Sequence, residues 1–343
     1  MQKLILTACL LLATTAMNAQ KIAKDGGISS AMLQQIESKQ PASAADRALA
    51  NAIAQNKIDD LAKNYRNGAT MTTTFSIETP SQSIHDQQSS GRCWMFSGLN
   101  VLRANFAKAH AGTDASDALH GAVVEYSQAY LFFYDQLEKA NLMLQGTIDN
   151  AKKPIDDTRV QFFFKNPIND GGTFCGVADL TEKYGLVPMS AMPETYNADN
   201  TSRMSKLISS KLREYGLELR RMVASGKSAA QIRARKTEML ATVYHMLAMT
   251  LGEPVKEFTY TFRDKDGKAL FTKTYTPKSF YEATVGQPLN GTFIMVMNDP
   301  RRPYHKTYEV DYDRHTYDGH NWKYLNLPMD EIAQLAIASL KDG

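Results

Sequence analysis

The chain has 343 residues, 43% of them hydrophobic and 22% charged, enough for one large domain or two fused lobes. Lys plus Arg exceeds Asp plus Glu by 39 to 36, and a net charge of +3 gives no whole-chain argument for nucleic acid or acidic lipid. Three cysteines, Cys9, Cys93 and Cys175, are too few for a disulfide scaffold.

The first twenty residues stand apart. Lys3 supplies a positive start, Leu4 to Ala13 is apolar, and the stretch to Gln20 is small and polar, with Ala16 and Ala19 suited to a cleavage site. The apolar run is shorter than the ~20 residues a membrane-spanning helix needs, so residues 1–19 read as a secretory signal. The expectation is an exported protein, periplasmic or secreted. Leu6-Thr7-Ala8-Cys9 could instead carry lipid on Cys9, but the apolar run continues past it. No later segment approaches membrane-spanning length.

Residues 20–80 read as an N-terminal extension. Ser29 and Ser30 can cap a helix carrying Met32, Leu33 and Ile36, and Pro41 with Ser43 can open an Ala-rich helix with Leu49 and Ile53 on one face. Met71 to Glu78 is β-prone and ends at Pro80. From residue 81 the pattern is that of a large domain. A helix is expected from Cys93 to about Ala109, and an aromatic-rich one from Ser127 to Leu144. Asn166 to Gly172 is turn chemistry before a helix that ends near Lys183-Tyr184-Gly185.

Residues 203–251 read as two helices split at Ser225-Gly226, within a helical insertion of about 200–252. Their basic cluster, including Lys211, Arg213, Arg220, Arg235 and Lys236, interleaves with Glu214, Glu218 and Glu238, which favours a solvated face over a polyanion site. From Val255 the pattern alternates, interrupted by the hairpin signal Asp264-Lys265-Asp266-Gly267, and Gly291 to Met297 reads as a buried strand. Helices first and strands later predict an α+β fold with segregated lobes.

The chemistry concentrates at Cys93. Gly91 marks a tight turn and the helical pattern starts at Cys93, which puts the sulfur where unpaired backbone N–H groups and the helix dipole favour a thiolate. Arg92 adds a nearby cation. Gln87 can donate an amide N–H to an oxyanion, with the Cys93 backbone N–H as second donor. The plain alternatives are a buried structural cysteine or a disulfide to Cys175.

The segment Gln87 to Phe96, QQSSGRCWMF, resembles the active-site segment of papain-like cysteine peptidases, and within them the bleomycin hydrolase and aminopeptidase C family. Ser127 to Phe133, Asp170-Gly171-Gly172, Glu182 to Gly185, Asn298 to Tyr304 and Tyr324 to Pro328 extend the resemblance along the chain. It implies a papain-like core over residues 81–343, a helical lobe plus an incomplete β-barrel lobe with helical insertions. It also implies aminopeptidase action on peptides, no cofactor and a hexameric homo-oligomer. Gly171 and Gly172 match the glycine pair that lines the cleft and pairs with substrate backbone, and Trp94 lies beside it. Thr173-Phe174-Cys175 departs from the family's bulkier pair, so the pocket floor is expected to differ, with Cys175 close to the cleft.

The family's histidine and asparagine segments, resembling Thr-His-Ala-Met and Glu-Asn-Ser-Trp-Gly, do not occur in these residues. A cysteine peptidase needs a base to take the thiol proton and a group to orient it. None of the seven histidines has the expected context. His315 and His320, near Asp311, Asp313 and Asp318, fit no standard metal spacing and read as a solvated loop. Two readings follow: a papain-like aminopeptidase cut before the strands that carry its base, or a non-catalytic binding or scaffold protein that keeps the cleft. An open barrel edge favours the first.

Overall fold

The computed structural model describes residues 26–40, 43–70, 72, 74–78, 83–112 and 116–342. The signal expected at 1–19, Cys9, Pro41, Met71 and Pro80 lie outside them. The chain divides into two compact units at Phe75 and Ser76.

In the first unit, α1 (Ser30–Ser38) is capped by Ser29 and α2 (Ala44–Gln55) by a reciprocal Ser43–Asp46 box, as the sequence leads one to expect. α3 (Ile58–Ala62) and a 3₁₀ turn at Tyr65–Thr70 follow. None of these three α-helices holds a buried residue. The β-prone tract adopts neither strand nor helix at its described positions 72 and 74–78.

The second unit is built on α4 (Cys93–Ala109), α5 (Gln128–Asp149) and α7 (Phe174–Tyr184), which pack against one another around Leu99, Phe132, Leu131 and Val177. The short α6 (Thr158–Lys165) lies against α5. α8 (Tyr196–Asp199) leads into the paired helices α9 (Ser202–Ala224) and α10 (Ala229–Leu251), which lay Ile208, Leu212, Val243 and Leu247 on the same core.

Most of the basic residues on α9 and α10 are engaged. Arg235 pairs with Glu218 and Glu238, and Lys211 with Glu214. Arg213 donates to the carbonyls of Phe164 and Lys165 at the end of α6, and Arg220 to those of Asn150 and Lys153 just past α5, where free carbonyls attract cations.

Strand β1 (Ala122–Val123) pairs with β2 (Phe258–Asp264), which pairs antiparallel with β3 (Ala269–Tyr275) across the expected Asp264–Gly267 turn. Helix α11 (Pro277–Thr284) packs behind, with Phe280 on Phe262. A second sheet has the order β4 (Val296–Met297), β6 (Lys323–Asn326), β5 (Lys306–Glu309), parallel then antiparallel. Helix α12 (Met329–Asp342) follows it.

The fold is α+β, but two expectations need correcting. The lobes are not cleanly segregated, because β1 from the helical part forms the edge of the first sheet. The Gly291–Met297 run is not a buried strand: only Val296 and Met297 pair, and Ile294 is 75% exposed. A run of apolar residues cannot become a central strand without a partner on each side.

Candidate active site

Cys93 is the first residue of α4, and it is an exposed free thiol. Arg92 caps the helix with its backbone in a non-helical conformation, and the amides of Met95 and Phe96 close on the Arg92 carbonyl at 2.9 and 3.0 Å. The sulfur therefore stands at a helix N-terminus, where backbone N–H groups lack intrahelical partners.

Arg92 does not serve the sulfur. Its side chain is fully buried, reaching Glu194 at 2.8 Å and lying 5.1 and 5.2 Å from the ring centres of Phe96 and Phe132. A cation that long gains more from a carboxylate and two ring faces than from facing water beside the thiol. Its role is to anchor the loop.

That loop is tied internally. Gln87 donates from Nε2 to the Ser90 carbonyl at 2.5 Å, and Ser90 Oγ donates to the Gln87 carbonyl at 2.6 Å. The Gln87 amide is thus held half-buried a few residues before Cys93, with its second N–H unassigned.

Across from it runs the segment Asn169–Thr173. The Gly91 amide donates to Asp170 Oδ2 at 3.2 Å, and Thr201, just before α9, and Ser205 in its first turn hydrogen-bond to the same carboxylate. Trp94 Nε1 donates to the Asp170 carbonyl at 2.7 Å. From α5, Lys139 donates to the carbonyls of Gly171 at 2.7 Å and Asn169 at 2.9 Å, while Gln136 also donates to Asn169. Gly171 and Gly172 remain exposed along this edge. Trp94 is buried and holds the edge from behind.

Beneath the edge lies a buried ionic cluster. Asp135 accepts from Lys139 at 2.9 Å and meets His315 Nδ1 at 2.5 Å. Burial raises the Asp135 carboxyl, but the charges and hydrogen bonds of Lys139 and His315 outweigh it and hold the group below the usual carboxylate range. The His315 ring lies tilted against Trp94, with ring centres 4.5 Å apart and planes at 47°. A Cβ on Gly172 would fall 2.2 Å from His315 Cε1, and one on Gly176 2.3 Å from Cδ2. Both glycines are required by this close approach.

His315 is therefore not in a solvated loop: it is 3% exposed, because a carboxylate and two glycines make a fitted niche for the imidazole. His320 sits separately on Asp179 at 2.7 Å. Among the described residues no group of three or more metal-ligating side chains converges.

The His315–Asp135 pair has the hydrogen bonding of a base and its orienter, but the edge of the ring opposite Asp135 is covered by Gly172 and Gly176. His85 is engaged with Arg103, Gln128 and Glu125, His110 with Asp117, and His305 with Glu331. No described imidazole hydrogen-bonds to Cys93. Cys175 is free and buried, close to the edge as expected, with its thiol pushed up by burial and 2.9 Å from Thr173 Oγ1. No disulfide joins it to Cys93.

A cysteine opening a helix beside an anchored glycine edge agrees with what sequence comparison finds. The model of the Peptidase C1-like family matches residues 27–343. The chain belongs to that family. It is 37% identical to aminopeptidase C of Lactobacillus delbrueckii subsp. lactis over 296 residues, covering 86% of this chain and 64% of that protein. It is 36% identical to bleomycin hydrolase of Homo sapiens over 273 residues, covering 78% and 58%. The crystal structure of PepW from Lactobacillus rhamnosis superposes with a TM-score of 0.84 at 35% identity, covering 93% of this chain and 70% of that one. The α+β fold is thus the papain-like one. The chain spans about 64% of the length of the aminopeptidase C it matches.

Sequence reasoning missed Asp135, Lys139 and His315. One signal was available: Asp135 and Lys139 fall among the aromatic and apolar residues of this helix, off the polar stripe of Glu138, Asn141, Gln145 and Asp149.

Proposed function

We propose that these residues form the nucleophile and peptide-binding half of a cysteine aminopeptidase. The observation that carries this reading is the exposed Cys93 thiol at a helix N-terminus beside a glycine edge fixed by Lys139, Trp94 and Asp170. A peptide laid along Gly171–Gly172 would present its carbonyl to Cys93, with the Cys93 N–H and the Gln87 amide as oxyanion donors. The thiolate adds to that carbonyl, the amine leaves with a proton, and water releases the acyl-enzyme.

The base that moves those protons lies outside the described histidines. Family resemblance further suggests a hexamer, and the composition of residues 1–19 an exported protein. The competing reading, a binding protein that retains the cleft, differs in one observable. The 343-residue chain should hydrolyse aminoacyl-coumarin substrates negligibly, with turnover appearing when it is extended by the C-terminal part of an aminopeptidase C that this chain does not match. Turnover by the 343-residue chain that Cys93→Ala abolishes would overturn the placement of the base. No turnover by any extended chain would favour the binding protein.

A further inference from the structure

Two cavities flank the glycine edge, one of about 260 Å³ bordered by Gly171, Gly172 and Thr173, the other of about 770 Å³ bordered by Phe174 and Cys175. Arg314, half-buried on the loop between β5 and β6, belongs to the rim of both. Its guanidinium carbon lies 5.3 Å from the ring centres of Tyr312 and Tyr317. Tyr317 is itself fixed by its hydroxyl on Asp149 at 2.8 Å.

The charge is held in place yet unanswered. Arg314 Nε is buried with no acceptor, and among the described residues no carboxylate reaches the guanidinium. Arg159 makes the contrast: it lies over the same Tyr312 ring at 5.8 Å and pairs with Asp311 at 2.7 Å.

The surroundings decide which cavity the charge serves. Asp313 borders the smaller one and offsets a positive field there, and Lys139 is consumed by Asp135 and the edge carbonyls. Around the larger one Lys323 stands with Arg314 against a single lining carboxylate, Glu309, which is occupied by Asn321 at 2.7 Å, while His320 is already matched by Asp179. Its remaining walls, including Phe174, Leu289 and Phe293, are apolar. Such a space suits a methylene stem ending in a carboxylate, which a guanidinium fork binds with two parallel N–H···O bonds.

We infer that Arg314 is a specificity residue for a glutamate-sized acidic side chain, which enters the larger cavity while the peptide backbone lies along Gly171–Gly172. This rests on the peptide-binding reading above and adds a substrate class to it: acidic peptides.

The test is a binding titration of the 343-residue Cys93→Ala chain with two fluorescent tetrapeptides differing only in Glu or Gln at one position, scanned through the first three. At one position the Glu peptide should bind about tenfold more tightly at low salt, the size of one charge-assisted pair. Arg314→Gln should bring that ratio near one and leave the Gln peptide's affinity unchanged. A ratio of one at every position in the parent, or a ratio that Arg314→Gln leaves intact, overturns the inference. If Arg314→Gln fails to fold, Arg314→Lys must cut the ratio several-fold, because it keeps the charge and loses the fork; an unchanged ratio is again fatal. Peptidyl-electrophile labelling of Cys93 in the otherwise identical chain that retains this cysteine separates the two claims. Glutamate preference without labelling retires the peptidase reading and keeps the site; labelling with a ratio of one does the reverse.

Discussion

The glycine edge at residues 169–176 and the sheet of β4, β6 and β5 face the same cavity, but they are held in opposite ways. The edge is fixed from three directions: Lys139 and Gln136 from α5, Trp94 from α4, and Asp170 reaching back to Gly91 and α9. The sheet is three short strands with β4 and β5 as open edges, Ile294 bare to solvent, and a following helix α12 that buries no residue. The molecule concentrates its buried charge and hydrogen bonds where it holds the glycine edge. Where it bounds the far side of the cavity, it does not. The difference locates preorganisation on the Cys93 side.

Substitutions should follow that asymmetry. Asp135→Ala strands Lys139 and His315 without their carboxylate in the interior, and unpairing a buried charge costs about 3–5 kcal/mol, measurable by urea denaturation. The same carboxyl sets a pH dependence. Its folded pKa is depressed, so its contribution is present above the unfolded value of about 4 and lost as pH falls through the folded value. Asp135→Asn should flatten the acid limb of the stability curve below pH 4; a limb identical to the parent's would show that the cluster is energetically idle.

Gly172→Ala comes next. Its Cβ would collide with His315 and with Trp94, whose Cε2 lies 2.7 Å away, and overpacking of this kind costs about 1–3 kcal/mol. On the sheet side, Ile294→Ser should change the urea midpoint by less than about 0.5 kcal/mol equivalent, since a side chain 75% exposed has little to lose. A larger loss there would break the contrast.

Much of the frame could be read from sequence because it is local. Ser29, Ser43, Ser127 and Gly185 mark helix ends by their own chemistry, and Asp264–Gly267 closes its hairpin without help from elsewhere. Cys93 as the first helical residue followed from the turn before it. What remained hidden depends on contacts distant in the chain. Asp135 and His315 are 180 positions apart, and neither carries a local sign of the other. Arg92 looked like a partner for the thiol until Glu194, Phe96 and Phe132 were seen to claim it. The Gly291–Met297 run has strand composition, but pairing, not composition, decides how much of it becomes a strand.

The central claim is that the glycine edge makes Cys93 the nucleophile of a peptide-binding cleft. Its most direct test is a ratio: the rate at which a peptidyl vinyl sulfone modifies Cys93 divided by the rate for iodoacetamide, in the parent and in Gly172→Ala, each adduct located by mass spectrometry. The parent should direct the peptidyl reagent to Cys93 and leave buried Cys175 unmodified. Gly172→Ala should lower the ratio at least tenfold with the iodoacetamide rate nearly unchanged. A ratio that Gly172→Ala does not alter, or peptidyl adducts on Cys175 as readily as on Cys93, would contradict it.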